Sequence, residues 1–216
     1  MSHRLYWVTK MKRNVVFLKD YFSLHSLTAL LICGAFFLCG SVAGAYASGH
    51  ITDGSALSGY LAEYLLRLCE GRGNASLLAV LLGSVKYHVL AVLFGFSALG
   101  VVTVPCLAGL RGFFLSFSVA AVTRVYGASG IPVALALFGF SALFSLPCFF
   151  LLAVQSFRAA ARLGEFVLHE HPRPGAQIYG KRFFGTCVVC FVIVLISALV
   201  NQAASAFLLR LALSWT

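Results

Sequence analysis

Five long apolar runs constrain this chain more than any other feature. They cover residues 24–47, 87–104, 109–126, 131–154 and 185–209. Each is near the length that lets a helix cross about 30 Å of hydrocarbon. The rest of the composition agrees. The chain is 61% apolar and 10% charged, with a mean hydropathy of +0.95, whereas a soluble domain carries about 25% charge. The expected fold is all-α, a polytopic integral membrane helix bundle of about five spans. With 216 residues, little sequence is left for a soluble catalytic domain.

The segments between the runs divide the rest of the chain. Residues 1–23 form a basic head and 24–216 a membrane domain. A polar stretch, 48–84, follows the first run, and a basic one, 155–184, precedes the last. Within the first stretch, Leu57, Leu61, Tyr64, Leu65 and Leu68, together with Tyr60, fall on one face of a helix, with Glu63, Arg67 and Glu70 off that stripe. Such a helix is too polar to span. It is expected to lie in the interface or to pack on the bundle. Ala45-Tyr46-Ala47 has the form of a signal-peptidase site, but the run before it is longer than a usual signal core and further runs follow, so an uncleaved first span is expected.

Charge orients the bundle. The sixteen Lys and Arg outnumber six Asp and Glu, for a net +10. Placing the N-terminus inside puts eleven of the sixteen basic residues on the cytoplasmic side, including Arg111 and five in the 155–184 loop. The positive-inside rule therefore favours a cytoplasmic N-terminus, an outer C-terminus and an outward 48–84 loop. Topology accounts for the excess charge, so nucleic acid is not invoked. The third run is bounded by Arg111 and Arg124, about 20 Å apart along a helix. Three readings follow: their long side chains snorkel to the headgroups, Arg124 is an intramembrane charge and functional by default, or the run is part of a re-entrant pair of half-spans.

Small residues recur at helix-contact spacing. Gly40 and Gly44 form GxxxG, and Gly112, Ser116 and Ala120 continue the pattern in the third run. That spacing puts small side chains on one face, which matters most in lipid. Contact within the chain is one reading and a homodimer face is the other. The stretch 93–99, LFGFSAL, recurs as 137–143, each copy followed by a proline, Pro105 and Pro147. A duplicated two-helix unit and chance in a restricted alphabet both account for this echo.

Catalytic constellations are missing from the sequence. All six acidic residues lie outside the spans, which disfavours a proton- or sodium-coupled carrier. No phosphate loop, GxSxG or HExxH occurs. Cys187 and Cys190 have CxxC spacing but lie in an apolar run without a second pair, and His169-Glu170-His171 has no third ligand nearby. Neither a metal nor a cofactor is expected. His88 is expected at the interface.

The stretch 84–130 resembles the stage II sporulation protein M family of endospore-forming bacteria. The resemblance rests on Lys86-Tyr87, then Gly95, Ser97 and Gly100 in a Gly-x-Ser-x-x-Gly element. Arg111-Gly112-Phe113, the small Ser116 and Ala120, and the glycine turn at Gly127 and Gly130 complete it. The chain departs from the family pattern at Ser84, at the delayed Pro105, and at Pro147-Cys148-Phe149, where the family has Pro-Gln-Asn. The resemblance implies a bacterial plasma-membrane scaffold that does no chemistry itself. Its implied partners are two peptidoglycan-cutting enzymes, the stage II sporulation proteins D and P, which act as the mother-cell membrane engulfs the forespore. Membrane lipid is the other expected partner. A transporter or channel subunit working with a separate ATPase is the alternative.

Overall fold

The computed structural model describes residues 24–49, 63, 77–127, 130–168 and 180–214. Glu63 is helical and exposed, but the apolar face expected to bind a partner (Leu57, Leu61, Tyr64, Leu65 and Leu68) lies outside the described residues, as does the basic head.

Every described element is a helix. In chain order they are α1 (Leu24–Ser48), α2 (Leu77–Gly95), α3 (Gly100–Tyr126), α4 (Gly130–Ala134) with a π-helical turn at Leu135–Gly139, α5 (Phe140–Leu168) and α6 (Lys181–Ser214). Four of them are long and apolar enough to cross a membrane, namely α1, α3, α5 and α6, and α2 contributes a shorter apolar stretch, Leu82–Gly95. Their outward faces carry large apolar side chains such as Leu31, Leu38, Val188 and Ile196. That arrangement suits lipid as solvent.

The second and third spans begin and end elsewhere than the sequence suggests. Pro105, expected as a stop between 87–104 and 109–126, lies inside α3 instead. The chain turns at Phe96 to Leu99, through Phe96 N–H to Leu93 O (3.1 Å), Ser97 N–H to Phe94 O (3.1 Å) and Gly100 N–H to Ser97 O (2.9 Å). Proline costs one helical hydrogen bond, and one turn inside a 27-residue helix that cost is tolerated. The stronger breaks are Gly95 and Gly100. A Cβ on Gly95 would sit 2.8 Å from Ser156 Cβ, and one on Gly100 would sit 2.7 Å from Ala160 Cβ. The shift gives α3 a length of about 40 Å at 1.5 Å per residue, so it is no longer too short to cross. Likewise α2 starts inside the stretch expected as outer loop, and α5 runs to Leu168, well into the expected 155–184 loop.

The two copies of LFGFSAL have different backbones. The first ends α2 and forms the turn, and the second passes through the π-helical turn into α5. Tertiary contacts, not the shared letters, decide the local conformation.

Contacts between helices fix their directions. Gly40 meets the Gly109 backbone, Gly44 meets Phe113 and Gly49 meets Arg124, so α1 and α3 run parallel. His88 meets Ser145 and Gly95 meets Ser156, so α2 and α5 run parallel. One end of the bundle holds Ser26, bonded by Arg158, and Phe96, whose ring meets Phe183 with centroids 6.1 Å apart. The opposite end holds Gly49, Arg124 and Gly127, whose φ of 57° suits glycine at a turn.

The α1–α3 seam is the tightest contact. A Cβ on Gly40 would lie 2.7 Å from the Gly109 carbonyl carbon, and one on Gly112 would lie 2.9 Å from Ser41 Oγ. Without water to drive helices together, this close backbone approach supplies the packing. A Cβ on Gly34, in the same helix, would meet nothing within 4 Å. We therefore expect Gly40→Ala to destabilise the bundle by about 1–3 kcal/mol, and Gly34→Ala to be neutral. Thermal unfolding of the two purified variants in detergent checks this.

Candidate functional site

Two of the buried polar side chains, His88 and Ser145, meet Arg111 between the helices. It sits near the middle of α3, about 16 Å from the Gly100 end at 1.5 Å per residue. Sequence reasoning puts it at the start of a span and counts it as cytoplasmic, because it sets the break at Pro105. Removing it leaves ten of sixteen basic residues on the cytoplasmic side (eleven minus one), so the direction of the charge argument stands.

Arg124 is not the charge within the bundle. It lies in the last turn of α3, is exposed, and donates from Nη1 to Gly49 O at 3.4 Å. A cation there complements the carbonyl end of the helix dipole. This helix-end position suits the reading in which its side chain reaches toward the headgroups, and the charge enclosed among the helices is Arg111 instead.

Two neighbouring helices enclose the Arg111 guanidinium of α3. The Tyr87 ring from α2 lies 5.2 Å from Cζ and the Phe149 ring from α5 lies 4.9 Å away. Nη2 donates to Ser145 Oγ. Nε is buried without a hydrogen-bond partner. Two aromatic faces offer a desolvated cation its main electrostatic compensation here, worth up to about 2 kcal/mol each when water is excluded.

His88 completes the cluster and is fully buried rather than interfacial. Its Nδ1 lies 3.0 Å from Ser84 O and its Nε2 3.1 Å from Ser145 O. A neutral imidazole has a single N–H to donate, so it serves one of these carbonyls at a time. Its ring also meets Phe149 edge-on, with centroids 5.9 Å apart. Ser145 is thus held from two sides, by His88 at its carbonyl and Arg111 at its hydroxyl.

Two motifs far apart in sequence meet here. Tyr87 belongs to the Lys86-Tyr87 pair, and Arg111 opens Arg111-Gly112-Phe113. Adjacent to them, Gly112 turns the other way, so a Cβ there would strike the Phe37 backbone of α1. A single stretch of α3 therefore binds α1 through its glycine and α2 and α5 through its arginine. Ser145 and Phe149 escape sequence reasoning, since one serine and one phenylalanine in an apolar run carry no distinguishing signal.

The remaining site residues fall elsewhere. Gly95 and Gly100 bracket the α2–α3 turn, and Ser97 Oγ accepts from Leu99 N–H at 3.3 Å. Ser116 and Ala120 line a cleft beside the α1–α3 seam. Cys148, Cys187 and Cys190 are buried, free thiols in the α5–α6 core. Among the described residues no group of three or more His, Cys, Asp or Glu could hold a metal. His169-Glu170-His171 lies outside the described residues.

Comparison with known proteins decides the family. The family model described as Stage II sporulation protein M matches residues 31–204. The chain belongs to that family. It is a sporulation-related, multi-pass membrane protein. No curated protein and no solved structure matches the chain. The matched region includes the whole Arg111 cluster and the α1–α3 seam.

Arg111→Ala removes the cation and opens a space between two aromatic rings. It is expected to cost about 2–5 kcal/mol, as for large-to-small changes in cores. Arg124→Ala should stay within about 0.5 kcal/mol, as for exposed positions. Titrating both variants with a denaturing detergent measures the difference.

Proposed function

We propose that this SpoIIM-family protein is a non-catalytic scaffold of the bacterial plasma membrane that anchors or localises peptidoglycan-degrading enzymes during forespore engulfment. The observation that carries this reading is the family match over residues 31–204. The architecture is compatible with it. The buried polar groups around Arg111 are engaged in joining helices.

Charge supports a cytoplasmic N-terminus. Arg158 reaches Ser26 at the start of α1, and Arg162 and Lys181 belong to the same end of the bundle. With that end inside, residues 50–76 and the α3–α4 turn face the compartment that contains peptidoglycan. Partners equivalent to the stage II sporulation proteins D and P would meet the apolar face of Leu57, Leu61, Tyr64, Leu65 and Leu68 there.

The alternative is a membrane subunit of a transporter or channel that works with a separate ATPase. Arg111 favours it, because charges within a membrane often mark ion or substrate paths. The aromatic enclosure favours a structural role for that charge. Flux in vesicles that is lost in Arg111→Ala, with the bundle still folded, would select the transporter.

Deleting the gene in the source bacterium is expected to leave flat or bulging septa without engulfment, seen by membrane-dye imaging and rescued by the intact gene. Replacing Leu61 and Leu65 by Asp should release the co-purifying cell-wall enzymes while the protein stays inserted at normal level. Unchanged co-purification at equal protein level would exclude that surface.

A further inference from the structure

A cleft of about 710 Å³ runs beside the α1–α3 seam. Ser41, Ala45 and Ser48 of α1 form one wall, Ser116 and Ala120 of α3 the other, and Leu146 of α5 also lines it. Arg124 stands at the mouth. We infer that this cleft holds one acyl chain of an anionic phospholipid whose phosphate is bound by Arg124.

Depth is the first argument. The α1 wall runs from Phe37 to Ser48, about 16 Å at 1.5 Å per residue. That is half of a hydrocarbon core of about 30 Å. The bottom is also level with the bundle's centre, since Phe37 backs onto Gly112, the neighbour of Arg111. A chain hanging from the headgroup level at Arg124 would end near the midplane, as a phospholipid tail does.

The lining is the second argument. Three of its four hydroxyls are turned back onto their own helices. Ser41 Oγ donates to Phe37 O at 2.9 Å, Ser48 Oγ to Ala45 O at 2.7 Å and Thr123 Oγ1 to Val119 O at 2.8 Å. With those donors satisfied, the walls present small, mostly apolar surface suited to a hydrocarbon chain.

Charge is the third argument. A guanidinium has five N–H donors in a planar fork that fits phosphate oxygens. Arg124 is exposed, and its contact to Gly49 O is long at 3.4 Å. No carboxylate is among the described residues that line the cleft. A net negative headgroup complements this cation better than a zwitterionic one.

The test uses the full chain, purified in detergent and stripped of lipid. Phosphatidylglycerol and phosphatidylcholine with identical acyl chains are added, and bound lipid is counted by native mass spectrometry. Phosphatidylglycerol is expected to bind roughly tenfold tighter, equivalent to about 1.4 kcal/mol. Arg124→Gln, an exposed change, should bring the two lipids to parity. Ala120→Phe should weaken both by filling the cleft, and Ala45→Leu serves the same purpose if the first variant fails to fold. Equal binding of both lipids by the unaltered protein, or an unchanged preference in Arg124→Gln, overturns the inference. So does efficient disulfide cross-linking between copies through Ala120→Cys, which would assign the cleft to a second copy of this chain.

Discussion

The bundle depends on the close backbone contact between α1 and α3. In water, helices associate by burying apolar faces. In lipid that gain disappears, because hydrocarbon chains are as apolar as leucine. What remains is van der Waals contact and polar bonding between helices. Gly40, Gly44 and Gly112 let the two backbones meet where any Cβ would collide. The parallel course of α1 and α3 requires α2 to run the opposite way, and α2 sets Tyr87 against Arg111 of α3.

Arg111 converts that seam into a three-sided lock. A cation at mid-membrane is costly alone, so its placement must be over-determined by its neighbours. Tyr87 comes from α2, and Phe149 and Ser145 come from α5. The neighbouring Gly112 holds α1 at the same level. Ser145 is the pivot, because His88 and Arg111 reach its carbonyl and hydroxyl from different helices. Four helices are thereby tied within two residues of α3. Arg111 adds directional specificity that leucines and phenylalanines on smooth helix faces cannot supply.

Much of this is legible in the sequence. The first span, 24–47, closely matches α1 because length and apolarity suffice for an isolated run. The GxxxG row and Arg111-Gly112-Phe113 are visible as small-residue and family elements. The α2–α3 boundary is not legible. Proline is a strong local signal, yet Pro105 is absorbed by α3, and the turn falls where Gly95 and Gly100 approach Ser156 and Ala160. Those partners lie about sixty residues away in sequence, so no local rule reveals them. The same displacement hides Arg111. A break at Pro105 puts that residue at a membrane surface and makes Arg124 the candidate inner charge.

The misplaced boundary also explains why the two arginines exchange roles. Their separation is set by sequence, but their depth is set by where α3 begins. Starting at Gly100 moves Arg111 to the helix centre and leaves Arg124 in the last turn. One arginine then faces inward and organises three helices. The other is exposed in the last turn, beside a cleft that reaches the level of the first. Helix start and the depths of the two arginines are therefore a single geometric property of α3. A change that shortened α3 from the Gly100 end would alter them together.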